Sequence, residues 1–364
     1  MFIDLINLHP GTLRVNLWIS EVFSHPIREF DGSLRRGTFP LFVVHGDMAV
    51  GVKDRSLNYK LLSYLSQQGI SFGLIHVYDE NYDHNISSYY LEGCKVIFRN
   101  HFRPMGGKTQ LLQNCVSSFF YPFQYVGRHR GIKLLAATVH NYCFTYYHGL
   151  RFMKRQYLPV LPIGKVLPLP LGYTDKFGRV KQPNTCTVVE RKYKWSFCGN
   201  TNNADRKIML KTLRSCEPNL IYEYQGFMSK ESFSGEDYWR ILNQSIFIPC
   251  PRGNVSADTH RLFEALEAGA IPIILRSYPF QPYDYYTKIF SAHPIPAFSS
   301  WIEVKHFLDN STIESAEKLS ATIRQWYADF KLKFQQKIRS TLLAIAKKNL
   351  LINNIDELEK HNIN

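Results

Sequence analysis

The sequence predicts an α/β protein made of two Rossmann-like units, and three observations lead to this fold class. Residues 245–275 follow the order apolar strand, polar turn, short amphipathic helix and apolar strand, which is a βαβ unit. Residues 40–77 repeat that order in the first half. The length of 364 residues suits two domains of ordinary size. We therefore divide the chain into an N-terminal Rossmann-like unit, a C-terminal Rossmann-like unit and a helical tail: 1–180, 181–330 and 331–364.

Composition narrows the class of protein and the type of partner. Hydrophobic residues make up 45% and charged residues 20% of the chain, which is typical of a globular protein and not of a disordered one. The formal net charge of +14 favours an anionic partner, such as a nucleotide diphosphate, a nucleic acid or an anionic lipid. The seven cysteines include no Cys-x-x-Cys pair, so we expect reduced thiols and no zinc site.

No targeting segment is predicted. The first 18 residues contain an early Asp4 and lack a basic region followed by a long apolar run, so they do not resemble a signal peptide. No apolar run reaches the length of a membrane span. We expect a cytoplasmic protein, with the inner face of the membrane as an alternative location because the basic tail has amphipathic spacing.

The first half contains apolar runs that predict strands and one leucine-spaced segment that predicts a helix. The helix is expected over 55–69, where Gly69 provides a stop signal. The strands are expected over 40–47, 70–77, 95–98 and 165–173. In the aromatic-rich stretch 106–161, the residue pattern predicts neither a helix nor a strand.

The second half shows the same alternation. Strands are expected over 192–200, 245–248 and 271–275, and helices over 205–215 and 257–268, with a helical chain from 299 onward. In the helix 257–268, the apolar residues share one face, while His260, Glu264 and Glu267 fall largely on another. We expect His260, Arg261 and Glu264 to look toward a crevice, and we expect Ser256 or Asp258 to cap the helix.

The turns after the strands at 192–200 and 245–248 predict a nucleotide-binding site. In open α/β sheets, ligands bind at the carboxyl ends of the strands, where the free N–H groups of a helix start suit a phosphate. Arginine supplies a bidentate donor for phosphate, and a glutamate can accept from two ribose hydroxyls. A surface ion-pair network is the structural alternative for these charges. The predicted donor-binding residues are Gly199, Arg206, Arg252, Gly253, Asn254, Asp258, Arg261 and Glu264.

This stretch resembles the nucleotide-sugar signature of the exostosin family of glycosyltransferases. The resemblance lies in Pro-Arg-Gly-Asn at 251–254, Asp-Thr-x-Arg-Leu-x-Glu-Ala-Leu at 258–266, and Ala-Gly-x-Ile-Pro at 268–272. Three fragments ahead of it are similar to bacterial relatives of ribitol xylosyltransferase: His76-x-x-Asp79-Glu80, residues 96–100 and residues 169–173. The resemblance implies the GT-B fold, in which two Rossmann-like domains face a cleft, and transfer of a sugar from a nucleotide diphosphate donor.

The catalytic base is expected at the end of a strand in the first unit. An inverting transfer needs a group that takes the proton of the acceptor hydroxyl, and carboxylates and histidines do this work. The candidates are Asp79, Glu80 and His76, with His45 and Asp47 at the neighbouring strand end as second candidates. A helix cap or an ion pair with Arg99 is the alternative role for Asp79 or Glu80.

Two sequence features bear on stereochemistry and on metal use. Many retaining GT-B enzymes carry two glutamates eight positions apart, but the position eight before Glu264 is Ser256, which favours inversion. No Asp-x-Asp occurs, so we expect no metal. The resemblance implies a nucleotide-sugar substrate, a UDP-sugar such as UDP-xylose, and no other cofactor. Arginines and helix N-termini are expected to stabilise the leaving diphosphate.

The acceptor is expected to be a hydroxyl of a glycan or of a lipid-linked glycan. A GT-B-fold sugar-nucleotide epimerase or hydrolase is an alternative, since it would use the same donor site. A basic nucleic-acid-binding protein is a second alternative, but the sequence lacks an interleaved basic and aromatic platform, so we expect no nucleic-acid partner. The basic tail, 331–348, predicts a helix that crosses to the first unit, binds a membrane surface or faces solvent.

Overall fold

A computed structural model describes the chain over ten segments. They are 2–9, 13–45, 58–78, 87–101, 165–182, 186–201, 203–224, 233–253, 257–277 and 284–361. The residues Asp47, Asp79, Glu80, Asn254 and Ser256 therefore lie outside the described part of the chain, as does the stretch 106–161.

The first unit is built on a parallel six-stranded sheet in the order β2-β1-β3-β4-β5-β6. Its strands are β1 (Phe2–Asn7), β2 (Ile27–Glu29), β3 (Thr38–Val44), β4 (Phe72–His76), β5 (Cys94–Arg99) and β6 (Val166–Pro168). Its helices are α1 (Asn16–Phe23), α2 (Tyr59–Gln67) and α3 (Asp175–Gly178), with a 3-10 turn over Ser87–Tyr90.

Helices α1 and α2 cover opposite faces of this sheet. Trp18 and Ile19 of α1 pack in one core cluster with Leu5 of β1, whereas Leu62 of α2 belongs to another cluster with Ile6. Neighbouring residues of a strand point to opposite faces, so the two clusters lie on the two sides of the sheet. This placement follows from the right-handed crossovers that leave β1 and β3 in opposite directions.

The second unit is built on a parallel five-stranded sheet in the order β11-β10-β9-β7-β8. Its strands are β7 (Tyr193–Asn200), β8 (Asn219–Tyr224), β9 (Ser245–Pro249), β10 (Ile271–Leu275) and β11 (Ala297–Phe298). Its helices are α4 (Ala204–Leu213), α5 (Gly235–Asn243), α6 (His260–Glu267), α7 (Tyr285–Phe290), α8 (Trp301–Asn310) and α9 (Ile313–His361), with a 3-10 turn over Val188–Glu190.

Two parallel sheets with flanking helices confirm the predicted fold class. The predicted helices at 55–69, 205–215 and 257–268 are present but begin later or end earlier than the apolar spacing suggested. Strands β1 and β2 and helix α1 were not predicted. The segment before residue 40 lacks the clean alternation that marks a half-buried strand, because β1 is buried over most of its length.

Helix α9 runs from the second unit back to the first. Its residues Lys331 and Gln335 contact Glu21 of α1, so the crossing predicted as one role of the basic tail is confirmed. The boundary placed at residue 331 falls inside this continuous helix. Within the described residues, no helix is both long enough and apolar enough to cross a membrane.

Buried Arg191 fastens the turns of the second sheet together. Its guanidinium donates to the carbonyls of Ser245 and Gly269 at 2.6 and 2.9 Å, on the segments that begin β9 and precede β10. Burial lowers the pKa of Arg191 to about 10, which leaves it charged at neutral pH. These bonds fix the amino ends of the strands whose carboxyl ends carry the candidate site.

Candidate functional site

The predicted donor-binding residues meet at the point in the second sheet where the direction of strand addition reverses. Strands β7 and β9 are neighbours, but the chain leaves β7 toward β8 on one side and leaves β9 toward β10 on the other. A ligand crevice forms outside the carboxyl ends of the strands at such a switch point. Gly199 is the penultimate residue of β7, Arg252 and Gly253 follow β9, and Arg261 and Glu264 lie on α6.

Arg206 and Asn203 join the two turns. Asn203 caps α4 by accepting from the Arg206 backbone N–H at 2.9 Å, and its amide donates to the Gly253 carbonyl at 3.0 Å. The buried Arg206 guanidinium donates to the Asn200 carbonyl at 3.0 Å and to the Arg252 carbonyl at 3.4 Å. Arg206 therefore shapes the turn around the predicted phosphate position, in addition to placing a positive charge beside it.

Asp205 anchors the turn after β9 from the other side. Its carboxylate accepts from the Arg252 backbone N–H at 3.2 Å and from the Trp301 indole N–H at 2.8 Å. Burial raises the pKa of Asp205, and these two hydrogen bonds oppose that rise. The sequence prediction missed Asn203 and Asp205, although Asn three residues before Arg206 is a helix N-cap pattern that could have identified Asn203.

Arg261 is a buried cation in the candidate site with hydrogen-bond donors that suit an anion. It is 9% exposed; its Nη2 donates to the Cys198 carbonyl at 2.9 Å, and its guanidinium lies 4.4 Å from the centre of the Phe197 ring. Among the described residues, its buried Nε and Nη1 atoms have no hydrogen-bond partner. A buried guanidinium with two unused donors is costly unless a counter-charge binds there.

Gly199 makes room for this arginine. A Cβ atom at position 199 would lie 2.6 Å from Arg261 Nη2, well inside van der Waals contact. The absence of a side chain at the end of β7 thus lets the guanidinium reach across to the neighbouring strand. This close approach is the physical reason for the glycine that the sequence pattern placed in the site.

Asp258 does not cap α6, so that part of the prediction is wrong. The N-cap residue is Thr259, and the buried Asp258 carboxylate accepts from the Tyr285 hydroxyl at 2.8 Å. Tyr286 donates to the Ala257 carbonyl at 2.8 Å. The two tyrosines of α7 therefore hold the chain just before α6 and fix the direction in which the first turn of α6 points.

The expected polar side of α6 is covered instead of open. Arg261 to Leu266 are all buried, because the segment that leaves the first unit and helices α5 and α9 pack around α6. The Thr174 hydroxyl donates to Glu264 Oε1 at 2.8 Å, and the Thr174 backbone N–H approaches the same oxygen at 3.3 Å. His260 Nδ1 lies 2.8 Å from the Gly172 carbonyl. The first unit therefore reaches the predicted ribose-binding carboxylate directly.

Tyr238 is a residue of the candidate site that the sequence analysis did not single out. Its ring packs edge-on against Phe177, and its hydroxyl interacts electrostatically with Glu264 and Arg261. Burial raises the pKa of Tyr238 well above its usual value, and the Glu264 carboxylate adds to that rise. No sequence signal distinguishes this tyrosine from other aromatics, because its position depends on how α5 packs on α6.

Of the three main base candidates, only His76 lies in the described part of the chain. This fully buried histidine ends β4; its Nδ1 lies 2.5 Å from the Tyr89 hydroxyl and 3.2 Å from Arg99 Nη1. Arginine is only a donor, so Nδ1 accepts and the ring proton is on Nε2. Asp79 and Glu80 lie outside the described residues, and their catalytic roles stay predictions.

Comparison with known proteins gives one family match, which lies mainly over the second unit. Residues 174–350 match the family model described as the RXYLT1 C-terminal domain. No curated protein gives a significant match.

Two solved structures show distant likenesses. The chain is similar to a trehalose-6-phosphate phosphatase N-terminal domain from Candida albicans, with 9% identity, a TM-score of 0.45, and 94% of this chain and 96% of that chain covered. It is also similar to Alr3699/HepE from Anabaena in complex with UDP and glucose, with 8% identity, a TM-score of 0.43, and coverage of 94% and 100%. These likenesses are too distant to transfer a ligand or an activity to this chain.

Proposed function

From the match of residues 174–350 to the RXYLT1 C-terminal domain model, we propose that this chain is a glycosyltransferase. It transfers one sugar from a nucleotide diphosphate donor, a UDP-sugar such as UDP-xylose, to a hydroxyl of a glycan or lipid-linked glycan. The environment of Arg261 is the observation that carries the proposal, because a buried cation with unused donors suits an anion such as a diphosphate.

The residues around the switch point have distinct roles in this proposal. Arg261 and Arg252 hold the diphosphate, and the N-terminal N–H groups of α6 add to that attraction. Arg206 and Gly253 shape the turn that receives it, and Asn254 stays a predicted donor-binding residue. Glu264 accepts from the ribose hydroxyls, with Thr174 holding one of its oxygens in place.

The reaction proceeds with inversion and without a metal in this proposal. As the bond between the anomeric carbon and the diphosphate breaks, the bond electrons leave with the diphosphate. Arginine donors stabilise that charge because they are already oriented before the reaction begins. We also propose that the protein works in the cytoplasm, with peripheral contact at the inner face of the membrane supplied by the basic helix α9.

Binding of UDP tests the donor site through Arg261. A ligand that binds only the folded state raises the melting temperature, so UDP is expected to raise that of the wild-type chain. Arg261→Met is expected to weaken UDP binding about 100-fold, because it removes a charge-assisted contact to the diphosphate. Arg214→Gln is the matched control, since this exposed arginine of the same unit pairs only with Glu223 on the surface among the described residues.

Two outcomes would contradict the proposal. Equal UDP affinity in Arg261→Met and Arg214→Gln would show that the donor site does not lie in this crevice. Release of a free epimer from a UDP-sugar without any acceptor would favour the sugar-nucleotide epimerase instead. Transfer of the sugar to an added glycan hydroxyl, with the opposite anomeric configuration in the product, supports the proposal in full.

A further inference from the structure

The first unit has a switch point of its own. Strands β1 and β3 are neighbours, but the chain leaves β1 toward β2 and leaves β3 toward β4 on the opposite side. The packing of α1 and α2 on opposite faces shows that the two connections diverge. The rule that places the donor crevice between β7 and β9 therefore places a second crevice between β1 and β3.

A histidine follows each of the two strands at this point. His9 comes two residues after β1, and His45 comes directly after β3. Their rings lie 4.6 Å apart between centroids, tilted by 51°. His9 is 8% exposed and His45 is fully buried, so His9 is the member nearer the surface.

The surrounding side chains hold the pair in place. Asn7 fixes the backbone of His9 from both sides: its amide donates to the His9 carbonyl at 3.1 Å, and its Oδ1 accepts from the His9 N–H at 3.0 Å. Asn58 Nδ2 lies 3.0 Å from His9 Nε2. Tyr78 packs edge-on against His45 and accepts from the Arg14 backbone N–H.

This arrangement suits a group that gains and loses one proton. Two imidazolium charges at this separation would repel each other, so a proton on one ring disfavours a second proton on the other. The Asn58 amide offers a donor nitrogen and an acceptor oxygen, so it can hydrogen bond to either protonation state of His9. Within the described residues, no group of three His, Cys, Asp or Glu side chains is placed to hold a metal ion.

His76 is less suited to this chemistry. Its Nδ1 accepts from Arg99, whose permanent charge opposes the formation of an imidazolium ring beside it. His76 can therefore donate a hydrogen bond at the end of β4, but it is poorly placed to receive a proton there.

We propose that His9, backed by His45 and Asn58, is the base that receives the proton of the acceptor hydroxyl. The hydroxyl O–H bond breaks, and its proton moves to the imidazole of His9. The acceptor oxygen forms a bond to the anomeric carbon. The bond between that carbon and the diphosphate breaks, and its electrons leave with the diphosphate. This inference rests on the proposed function, since it assigns the second group that inverting transfer requires.

Release of UDP from a UDP-sugar, with water as the acceptor, tests the base without knowledge of the natural acceptor. UDP-xylose and UDP-glucose serve as donors, and the UDP-induced rise in melting temperature measures donor binding separately. His9→Gln is expected to lower the rate of UDP release at saturating donor about 100-fold or more while leaving that rise unchanged. His76→Gln, Asp79→Asn and Glu80→Gln are the comparison variants, and each is expected to retain more of this rate than His9→Gln.

Each result separates this inference from the proposed function. If UDP binds but His9→Gln releases UDP at the wild-type rate, or if Asp79→Asn or Glu80→Gln alone abolishes release, the assignment of His9 is wrong and the donor site stands. A wild-type chain that binds UDP and releases none from either sugar also counts against His9. If UDP does not bind the wild-type chain, the proposed function itself fails.

Discussion

Gly199 shows how a residue without a side chain controls the candidate site. The Arg261 guanidinium occupies the space that a Cβ atom at position 199 would need, with a separation of 2.6 Å. Phe197 and the Cys198 carbonyl hold the same guanidinium, so it has little freedom to move away. A methyl group at position 199 must therefore displace the charge that the donor diphosphate is proposed to meet.

Gly199→Ala is expected to weaken UDP binding about tenfold and to lower the free energy of unfolding by about 2 kcal/mol, the usual cost of overpacking a buried site. Calorimetric titration and urea unfolding measure the two effects. In an Arg261→Met background, the effect of Gly199→Ala on UDP binding is expected to vanish, since both changes act through one guanidinium. Additive losses in the double variant would show that Gly199 acts in another way.

The positions of single residues in the candidate site were predictable where one local rule decides them, and their roles stay predictions. The glycine, the arginines and the glutamate follow from strand–turn–helix order and from the chemistry of phosphate and ribose. Asp258 was misassigned because the cap rule considers only the local chain, whereas Tyr285 is contributed by α7. Tyr238 was missed for a similar reason, because its role depends on tertiary packing.

At the scale of elements, helices α1, α6 and α9 meet in one cluster of charges. Glu21 of α1 accepts from Lys181 at 2.7 Å and from Lys331 of α9 at 3.3 Å. Glu267 of α6 accepts from the same two lysines at 3.3 and 2.9 Å. Each lysine thus joins a carboxylate of the first unit to a carboxylate of the second.

The stability provided by this cluster is expected to depend on acid pH. Burial opposes the shift, but hydrogen bonds from Lys181 and Tyr173 lower the pKa of Glu21 below its usual 4.5. A carboxyl whose pKa is lowered on folding stabilises the protein above its unfolded pKa, and this contribution is lost as pH falls through the folded pKa. The wild-type chain is therefore expected to exceed Glu21→Gln in unfolding free energy at pH 7 and to lose that advantage below pH 4.5.

Urea unfolding of both proteins between pH 7 and pH 3 measures this difference. Asp237→Asn is a suitable control, since its carboxylate lies in an exposed pair with Arg240 outside the cluster. A difference between wild type and Glu21→Gln that stays constant over this range would show that the Glu21 charge does not contribute.

Elements were predicted best where their periodicity is strong and worst where tertiary contacts cover them. The period of α6 correctly indicated a helix, but the covering of its polar side by Thr174 and α9 could not be derived from spacing. For the basic tail, the sequence left three roles open. The contact between Gln335 and the Glu21 carbonyl decides among them for that part of α9.

For the whole molecule, the two sheets share one plan. In each sheet, the direction of strand addition reverses beside the first strand of the unit. Each sheet therefore presents one crevice at the carboxyl ends of two neighbouring strands. The sequence predicted the crevice of the second unit because its residues are phosphate- and ribose-binding types. It did not predict His9 for the first, because β1 was not recognised and the pairing of β1 with β3 is a long-range contact.

The charge cluster is expected to couple the two units. Binding of UDP to the second unit should slow amide hydrogen exchange in that unit, and also in β3 and β4 of the first, because Lys331 ties Glu267 to Glu21. Lys331→Met leaves the Glu21 and Glu267 carboxylates with Lys181 alone. This change is expected to lower the free energy of unfolding by an amount on the order of 1–2 kcal/mol. In this variant, UDP should still protect β7 and β9 but no longer β3 and β4, as measured by exchange mass spectrometry. Lys337→Met changes an exposed lysine of the same helix and should preserve both effects. Protection of β3 and β4 that survives Lys331→Met would place the coupling elsewhere, at the contacts of Thr174 and Gly172 with α6.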